Sequence, residues 1–238
     1  MLDHATYHTP ANTAITSSKV ITFAKSKDLY RRRFIEGIDR DLTPSMRVGR
    51  AVDQILAVGS HEEGLTKAEA RDVDGLVAEI KRHPLWEELS GHEKQVIIEA
   101  DGNGYHFAGI PDFLGEGGGK VLITDLKVSS AAKVESWYWN VMRMKYHVQA
   151  GCYRELVRRR TGVKKKDIVF RHIVAWKEDD LYRVRPFLFA PVLIDEGWKE
   201  FDKIAKMIVK EKEFVDPLFT WNDAIVLKRP QKRAEAME

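Results

Sequence analysis

The residues best placed for chemistry are two aspartates and a lysine that follow apolar runs. Asp112 closely follows one run, and Asp125 and Lys127 end the next. Side chains alternate along a β-strand, so Asp125 and Lys127 share one face and Leu126 points to the other. Two clustered carboxylates repel each other unless a cation lies between them, and their oxygens suit Mg²⁺ or Mn²⁺. A lysine beside such a metal can steady an anionic phosphate or help to deprotonate a water, so the set indicates metal-assisted phosphodiester hydrolysis.

The two apolar runs predict a β-hairpin that brings the carboxylates together. The runs are Tyr105–Ile110 and Val121–Leu126, and the segment between them holds four glycines. Pairing the runs places Asp112 beside Asp125. The other interpretation is a polar hairpin with an Asp125–Lys127 salt bridge, because a bare D-x-K pattern is short and common. The preceding Pro-Asp and the strand context favour the functional interpretation.

Several motifs in the right order resemble the PD-(D/E)xK nucleases, in particular the branch of RecB, RecE and lambda exonuclease. Asp112 with Asp125-Leu126-Lys127 resembles the signature, and Gln149-Ala150-Gly151-Cys152-Tyr153 matches the Q-x-x-x-Y motif. Ile15-Thr16-Ser17-Ser18 resembles the helix-opening segment. Gly49-Arg50-Ala51-Val52-Asp53 resembles the G-x-x-x-H segment, with Asp where the family usually has His. The resemblance covers roughly residues 15 to 190.

The resemblance implies roles for these positions. It implies that Mg²⁺ or Mn²⁺ is bound by Asp53, Asp112, Asp125 and the Leu126 carbonyl. It implies that Lys127 positions or activates the water, that Gln149 and Tyr153 organise the DNA end, and that Ser17 and Ser18 contact a DNA phosphate. From the residues alone, a salt bridge or simple exposure would also explain Asp53, and an ordinary helix cap would explain the serines.

Hydrophobic periodicity predicts the elements that position these residues. Helices are expected over 16–34, 44–58, 66–81, 137–160 and 192–212, with further strands over 94–100, 168–176 and 181–188. The fold class is α/β, with a central mixed β-sheet flanked by helices and a restriction-endonuclease-like core. We expect one domain over 1–238, with an irregular N-terminus (1–14) and a mobile C-terminal tail (about 218–238).

Charge and composition narrow the function further. The 238 residues carry a net charge of only +3, so basic residues matter through local clusters. The expected DNA contacts are Arg31, Arg158, Lys164, Lys165 and Lys166, although such a run is usually a solvated helix end. The single cysteine excludes internal disulfides and a cysteine-ligated iron–sulfur cluster. No apolar run is long enough for a membrane span and no signal peptide is recognisable, so we expect a soluble, cytoplasmic protein without membrane partners.

The favoured function is a metal-dependent DNA exonuclease that acts at duplex ends in recombination or repair, often in phage systems. Its expected partner is DNA, as duplex ends and single strands. The resemblance also implies a ring-shaped homo-oligomer and a single-strand annealing protein as partners. Two alternatives stay open. One is a structure-selective or restriction-type endonuclease with the same core. The other is a catalytically weak DNA-binding recombination accessory protein. The reason for this alternative is Asp53, which stands where the family usually has histidine.

Overall fold

A computed structural model describes residues 2–7, 9, 11–38, 41–60, 64–129 and 134–212, with the backbone alone at 134, 135 and 212. The helices in these ranges are α1 (His4–Tyr7), α2 (Ser17–Lys25), α3 (Lys27–Phe34), α4 (Pro44–Val58), α5 (Lys67–Arg82), α6 (Leu85–Ser90), α7 (Val134–Arg143), α8 (Tyr146–Thr161) and α9 (Pro191–Lys212). The strands are β1 (Glu93–Lys94), β2 (Ile98–Gly102), β3 (Tyr105–Gly109), β4 (Phe113–Gly117), β5 (Lys120–Ser129), β6 (Ile168–Glu178) and β7 (Leu181–Leu188).

A five-stranded mixed sheet forms the centre of the molecule. Its strand order is β1-β4-β5-β6-β7, with β5 and β6 parallel and the other neighbours antiparallel. Strands β2 and β3 form a separate two-stranded sheet. The parallel pair needs a long crossover connection, and the segment containing α7 and α8 supplies it.

Helices cover both faces of the central sheet. Successive residues of β5 and β6 point to opposite faces, and both faces carry apolar side chains that must be buried. On one face, Ile123 and Phe170 join a core with residues of α2, α8 and α9. On the other, Leu126 and Ile173 join a core with residues of α4, α5 and α6. The predicted α/β class and flanked mixed sheet are therefore confirmed.

The predicted hairpin has a different first strand in the structure. β5 pairs with β4, and β3 pairs with β2. Each pair is closed by two residues with positive φ, Asn103-Gly104 (56° and 85°) and Gly118-Gly119 (58° and 72°). Two such residues suit the tight turns that match strand twist, so the chain makes two short hairpins where one long hairpin was predicted.

Two predicted helices are each divided in the structure. The helix predicted over 137–160 breaks between α7 and α8, where Lys145 has φ of 57°. The helix predicted over 16–34 breaks at Ser26, whose side chain accepts a hydrogen bond from the Leu29 N–H and caps α3. The N-terminal stretch predicted as irregular contains α1. The predicted mobile tail lies outside the described residues.

In the described part of the chain, no helix combines the length and the apolar character that crossing a membrane requires.

Candidate active site

Asp112 and Asp125 meet where β4 begins and β5 continues beyond it. Phe113 pairs with Thr124 in antiparallel register, so Asp112, just before Phe113, comes beside Asp125, just after Thr124. Asp112 Oδ2 accepts a hydrogen bond from the Leu126 N–H at 2.7 Å. The N–H and C=O of one strand residue point to the same side of the strand, so the Leu126 carbonyl also lies on the edge that Asp112 occupies. The predicted convergence is present, although β4 rather than β3 produces it.

Burial and mutual repulsion make this carboxylate pair hard to ionise fully. Asp125 is buried and Asp112 is half-buried. Burial, followed by the negative charge of Asp125, raises the pKa of Asp112 to about 7. Burial also raises the pKa of Asp125, against the opposing effect of Lys127. A cation between the two would relieve both effects.

Lys127 lies on the same face as Asp125 and is held by it. Its Nζ donates to Asp125 Oδ2 and lies 5.2 Å from the centroid of the Tyr146 ring. Burial opposes the charged amine, but the negative charges of Asp125 and Asp112 outweigh burial and raise the pKa of Lys127. The side chain is therefore an ammonium group, which can hold an anionic oxygen or orient a water.

Gln149 and Tyr153 form a chain of hydrogen bonds that ends on Asp125. Gln149 Nε2 donates to Asp125 Oδ1 at 2.9 Å and to the Tyr153 hydroxyl at 3.1 Å. The Tyr153 hydroxyl in turn donates to the Ile110 carbonyl at 2.8 Å. The two side chains are four residues apart on α8 and share a face, as their spacing predicts. Their visible role is to hold Asp125 in place.

Asp53 lies on α4, close enough to Asp112 and Asp125 for their charges to affect its pKa. It is half-buried, and burial, then Asp112, then Asp125 raise its pKa, while Lys127 lowers it. Among the described residues, however, no three His, Cys, Asp or Glu side chains stand in an arrangement ready to hold a metal ion. Asp53 therefore lies close enough to Asp112 and Asp125 to interact with them electrostatically. Its assignment as a metal ligand stays a prediction.

The donor set fits a hard divalent cation. Two adjoining carboxylates and a backbone carbonyl on the same edge are all oxygen donors, the type that Mg²⁺ and Mn²⁺ prefer. Burial and the negative charge of Asp125 raise the pKa of Asp112, and a bound cation would oppose both effects. Asp112, Asp125 and Leu126 are therefore the residues that could hold such an ion, with Asp53 at its side.

Comparison with known proteins agrees with this geometry. A family model described as a PDDEXK-like domain of unknown function (DUF3799) matches residues 26–214. The chain belongs to this family. Membership places it in the PD-(D/E)xK nuclease superfamily and confirms the resemblance seen in the sequence. Among curated proteins, no match was found.

Solved structures resemble this PDDEXK-like domain in fold. A "putative exonuclease" from Eubacterium rectale superposes with a TM-score of 0.72 at 18% identity, over 90% of this chain and 87% of that one. At this identity the likeness shows the fold alone. A structure named SSO0001 matches with a TM-score of 0.41 at 14% identity, over 84% of this chain and 77% of that one, and it carries no argument.

The helix-opening segment of the PDDEXK-like domain lies beside β3. The Ile15 N–H donates to the His106 carbonyl, and the Ile15 carbonyl accepts from the Ala108 N–H. Thr16, rather than either serine, caps α2 by accepting from the Lys19 N–H at 3.3 Å. Ser17 is buried and Ser18 is exposed in the first turn. Of the two predicted phosphate contacts, only Ser18 is open to solvent in this structure.

The predicted basic contacts lie away from the carboxylates. Arg31 pairs with Glu36 at 2.9 Å, and Arg158 pairs with Glu155 at 2.7 Å. The remaining three, Lys164, Lys165 and Lys166, are exposed just before β6. An open cavity of about 600 Å³ lies at this end of α8, and its lining includes Asn103, Arg158, Arg159, Lys164, Lys165 and Trp198. These residues form a separate basic surface rather than part of the carboxylate site.

Sequence reasoning missed one histidine at the site. His172 lies on β6 in register with Asp125, and its Nε2 is 3.8 Å from Asp125 Oδ2. A histidine in the middle of the apolar run 168–176 was the available signal. Its relevance depended on parallel pairing of β5 with β6, which neither segment reveals by itself.

Proposed function

We propose that this protein is a divalent-metal-dependent nuclease that hydrolyses DNA phosphodiester bonds, acting as an exonuclease at duplex ends. The observation that carries the proposal is the meeting of Asp112, Asp125 and Lys127 where β4 begins beside the central strand β5, with Asp125 held by Gln149. A structural salt bridge alone would not require the second carboxylate, whose pKa burial and Asp125 raise to about 7.

Mg²⁺ or Mn²⁺ would be held by Asp112, Asp125 and the Leu126 carbonyl, with Asp53 as a further ligand. When bound, such an ion polarises a phosphoryl oxygen and makes a nearby water a better nucleophile. The chain's own contribution is to place two negative charges side by side in a site where burial resists their ionisation. The ion then restores the charge balance.

Lys127 would turn from Asp125 to the DNA phosphate or to the attacking water. Its ammonium group is a donor without acceptor capacity, so it steadies developing negative charge rather than removing a proton. Gln149 keeps Asp125 oriented throughout, because Tyr153 anchors it to the Ile110 carbonyl. The reacting phosphate would thus meet a prearranged set of groups.

The exonuclease form of the proposal rests on the Q-x-x-x-Y motif and on the basic surface at the end of α8. Ile168, the first residue of β6, pairs with Val121, four residues before Asp125, so the start of β6 lies roughly 13 Å along the strands from the carboxylates, at about 3.3 Å per residue, and Lys164–Lys166 precede it in the chain. Charges at that distance would contact backbone phosphates away from the scissile bond. The proposal extends to a role in recombination or repair, with a ring-shaped homo-oligomer and a single-strand annealing protein as partners. The molecular mass of the protein in solution tests whether a ring forms.

Digestion of matched DNA substrates tests the activity. In Mg²⁺ or Mn²⁺, purified protein should degrade end-labelled linear duplex progressively and leave closed circular duplex of the same sequence intact. In EDTA it should cleave neither substrate. Cleavage of the closed circle would identify an endonuclease instead. No cleavage of either substrate with any divalent ion would favour the DNA-binding accessory protein.

Two substitutions tie the activity to this site. Asp125→Asn and Lys127→Ala should each lower the rate by about 10²–10³-fold or more, since each removes a charge that acts on the transition state. DNA affinity should largely survive, because it comes mainly from basic residues elsewhere. Lys120→Ala is the matched control, because Lys120 is an exposed lysine at the start of the same strand. Wild-type rates in either site variant would place the chemistry elsewhere.

A further inference from the structure

His172 is a buried polar residue that touches the site without a visible role. It is 0% exposed, and parallel pairing of β5 and β6 sets it opposite Asp125. Within the described residues, neither of its ring nitrogens has a hydrogen-bond partner. Leaving such a group unpaired in the interior costs stability, so packing alone does not explain a histidine at this position.

Aromatic rings hold the imidazole in a fixed orientation. The ring centroids of Trp137, Tyr146, Phe170 and Phe189 lie 5.7, 5.2, 5.3 and 4.7 Å from that of His172. Burial, and then the charge of Lys127, hold the pKa of His172 well below its usual value. This packing leaves Nε2 as the ring nitrogen that lies near Asp125, 3.8 Å from its Oδ2.

Asp125 needs a second donor once Lys127 is engaged elsewhere. Its Oδ1 accepts from Gln149, and its Oδ2 accepts from the Lys127 ammonium. If Lys127 turns to a DNA phosphate, Oδ2 loses that donor and the carboxylate is held at one end only. His172 Nε2 is 3.8 Å from Oδ2, which is about 0.9 Å beyond a normal hydrogen bond. A small rotation of the carboxylate would close this gap.

We propose that His172 is a positioning residue for Asp125. With a proton on Nε2, its ring donates to Asp125 Oδ2 when Lys127 moves to the substrate, and it so keeps the carboxylate aimed at the bound cation. This inference rests on the proposed metal-dependent nuclease and adds a residue to it. In this proposal, His172 Nε2 has a hydrogen-bond partner, Asp125 Oδ2, only when Lys127 is engaged with the substrate.

The test compares three variants of the full chain by calorimetric titration with Mn²⁺. His172→Phe keeps the ring and removes the donor, so Mn²⁺ affinity should fall about 10–100-fold, as for other groups that orient metal ligands. Its melting temperature should equal or exceed that of wild type, because an unpaired buried group has been removed. His172→Gln carries an amide N–H near the Nε2 position and should restore most of the affinity. His172→Asn places its amide near Nδ1 and should not.

His92→Phe is the matched control. His92 also has a largely buried side chain with an unpaired Nδ1, and its Nε2 lies 3.8 Å from Glu88 rather than from Asp125. Its Mn²⁺ affinity should equal that of wild type. In steady-state digestion, His172→Phe should lower kcat and leave KM for DNA nearly unchanged, since it makes no DNA contact.

The outcomes separate the two proposals. Absence of Mn²⁺ binding to the wild type would overturn the nuclease and the role of His172 with it. Wild-type affinity in His172→Phe would overturn His172 alone. Should the Phe variant fail to fold, the Gln and Asn pair decides, and equal affinities in those two would overturn the inference.

Discussion

At the scale of single residues, Asp53 is where the chemistry departs from the nucleases that the sequence resembles. An imidazole ligand is neutral and of intermediate softness, whereas a carboxylate is hard and negative. Asp53, Asp112 and Asp125 each have a raised pKa, with burial as the first cause in every case. Three such groups favour a hard divalent ion, so this site should select Mg²⁺ or Mn²⁺ over Zn²⁺ more strongly than a site with histidine.

Metal titration of two Asp53 variants tests this assignment. Asp53→Ala should weaken metal binding and reduce turnover by about 10-fold or more, because a ligand or a close charge is removed. Asp53→His should retain activity, because the resembled branch has a ligand at the same motif position. The measurement is cleavage of linear duplex against metal concentration for wild type and both variants.

Gln54→Ala, a half-buried neighbour on α4, serves as the control for a local effect on the helix. Identical activation curves for wild type, Asp53→Ala and Asp53→His would remove Asp53 from the ligand set. Asp112 and Asp125 would then be the side-chain ligands that remain.

The site residues that the sequence predicted are those related by local geometry. Alternation along β5 put Asp125 and Lys127 on one face, and helical spacing put Gln149 and Tyr153 on another. What the sequence did not predict depends on pairing between distant segments. The bond from Tyr153 to Ile110 spans 43 residues, and His172 reaches Asp125 only through the parallel register of β5 and β6.

At the scale of elements, the close crossing of α8 and α9 sets where Gln149 and Tyr153 stand. Gly151 lies between them in sequence, and a Cβ there would be 2.2 Å from the Trp198 backbone nitrogen. Gly197 lies at the same contact on α9, where a Cβ would be 1.8 Å from the His147 carbonyl oxygen. The two backbones touch because both residues lack side chains.

Gly151→Ala should therefore destabilise the protein, although alanine is the better helix former. Forcing the helices apart costs about 1–3 kcal/mol, which exceeds the gain of about 1 kcal/mol from helix propensity. Urea denaturation measures the difference. The catalytic rate should also fall, because Gln149 on the same helix holds Asp125.

Gly49→Ala is the matched control within α4. A Cβ at that position would lie 3.8 Å from Val128 Cβ, an ordinary contact. Helix propensity alone then applies, so this variant should be as stable as wild type or more stable by up to about 1 kcal/mol. A stable Gly151→Ala variant would show that the α8–α9 crossing adjusts more easily than its geometry suggests.

The hairpin shows how far local signals carry at this scale. Glycine-rich turns and apolar runs located β3 and β5, but the sequence analysis paired these two with each other and placed β4 in the turn between them. The Asn103-Gly104 turn pairs β3 with β2 and leaves β4 for β5. Turn chemistry at Asn103-Gly104 was the signal that would have separated them, since an Asn-Gly pair is typical of a two-residue hairpin loop.

At the scale of the whole molecule, charge is distributed unevenly despite a net value of only +3. Many basic side chains are already paired. Arg158 and Arg159 both bind Glu155, and Arg154 binds Asp195. Lys164 and Lys166 are exposed, and Lys165 lies 3.8 Å from Asp195 at a half-exposed surface. In this short segment before β6, Lys164 and Lys166 can contact phosphates without breaking an ion pair seen among the described residues, whereas Lys165 would exchange Asp195 for a phosphate.

The last prediction concerns this segment and the salt dependence of DNA binding. Replacing Lys164, Lys165 and Lys166 with Ala should weaken duplex binding and reduce the slope of log affinity against log salt. The reduction should be about 0.9 for each phosphate that no longer pairs with a lysine, or up to about 2.7 for three. The rate at saturating DNA should change little, because these lysines lie well away from Asp125.

A charge-matched control replaces Lys67, Lys81 and Arg82, which are exposed on α5. Equal slopes for the two triple variants would show that the segment before β6 is an ordinary solvated surface and that the DNA path lies elsewhere. A reduced slope in the first variant alone would instead define a path from the carboxylates along β5 and β6 toward the end of α8.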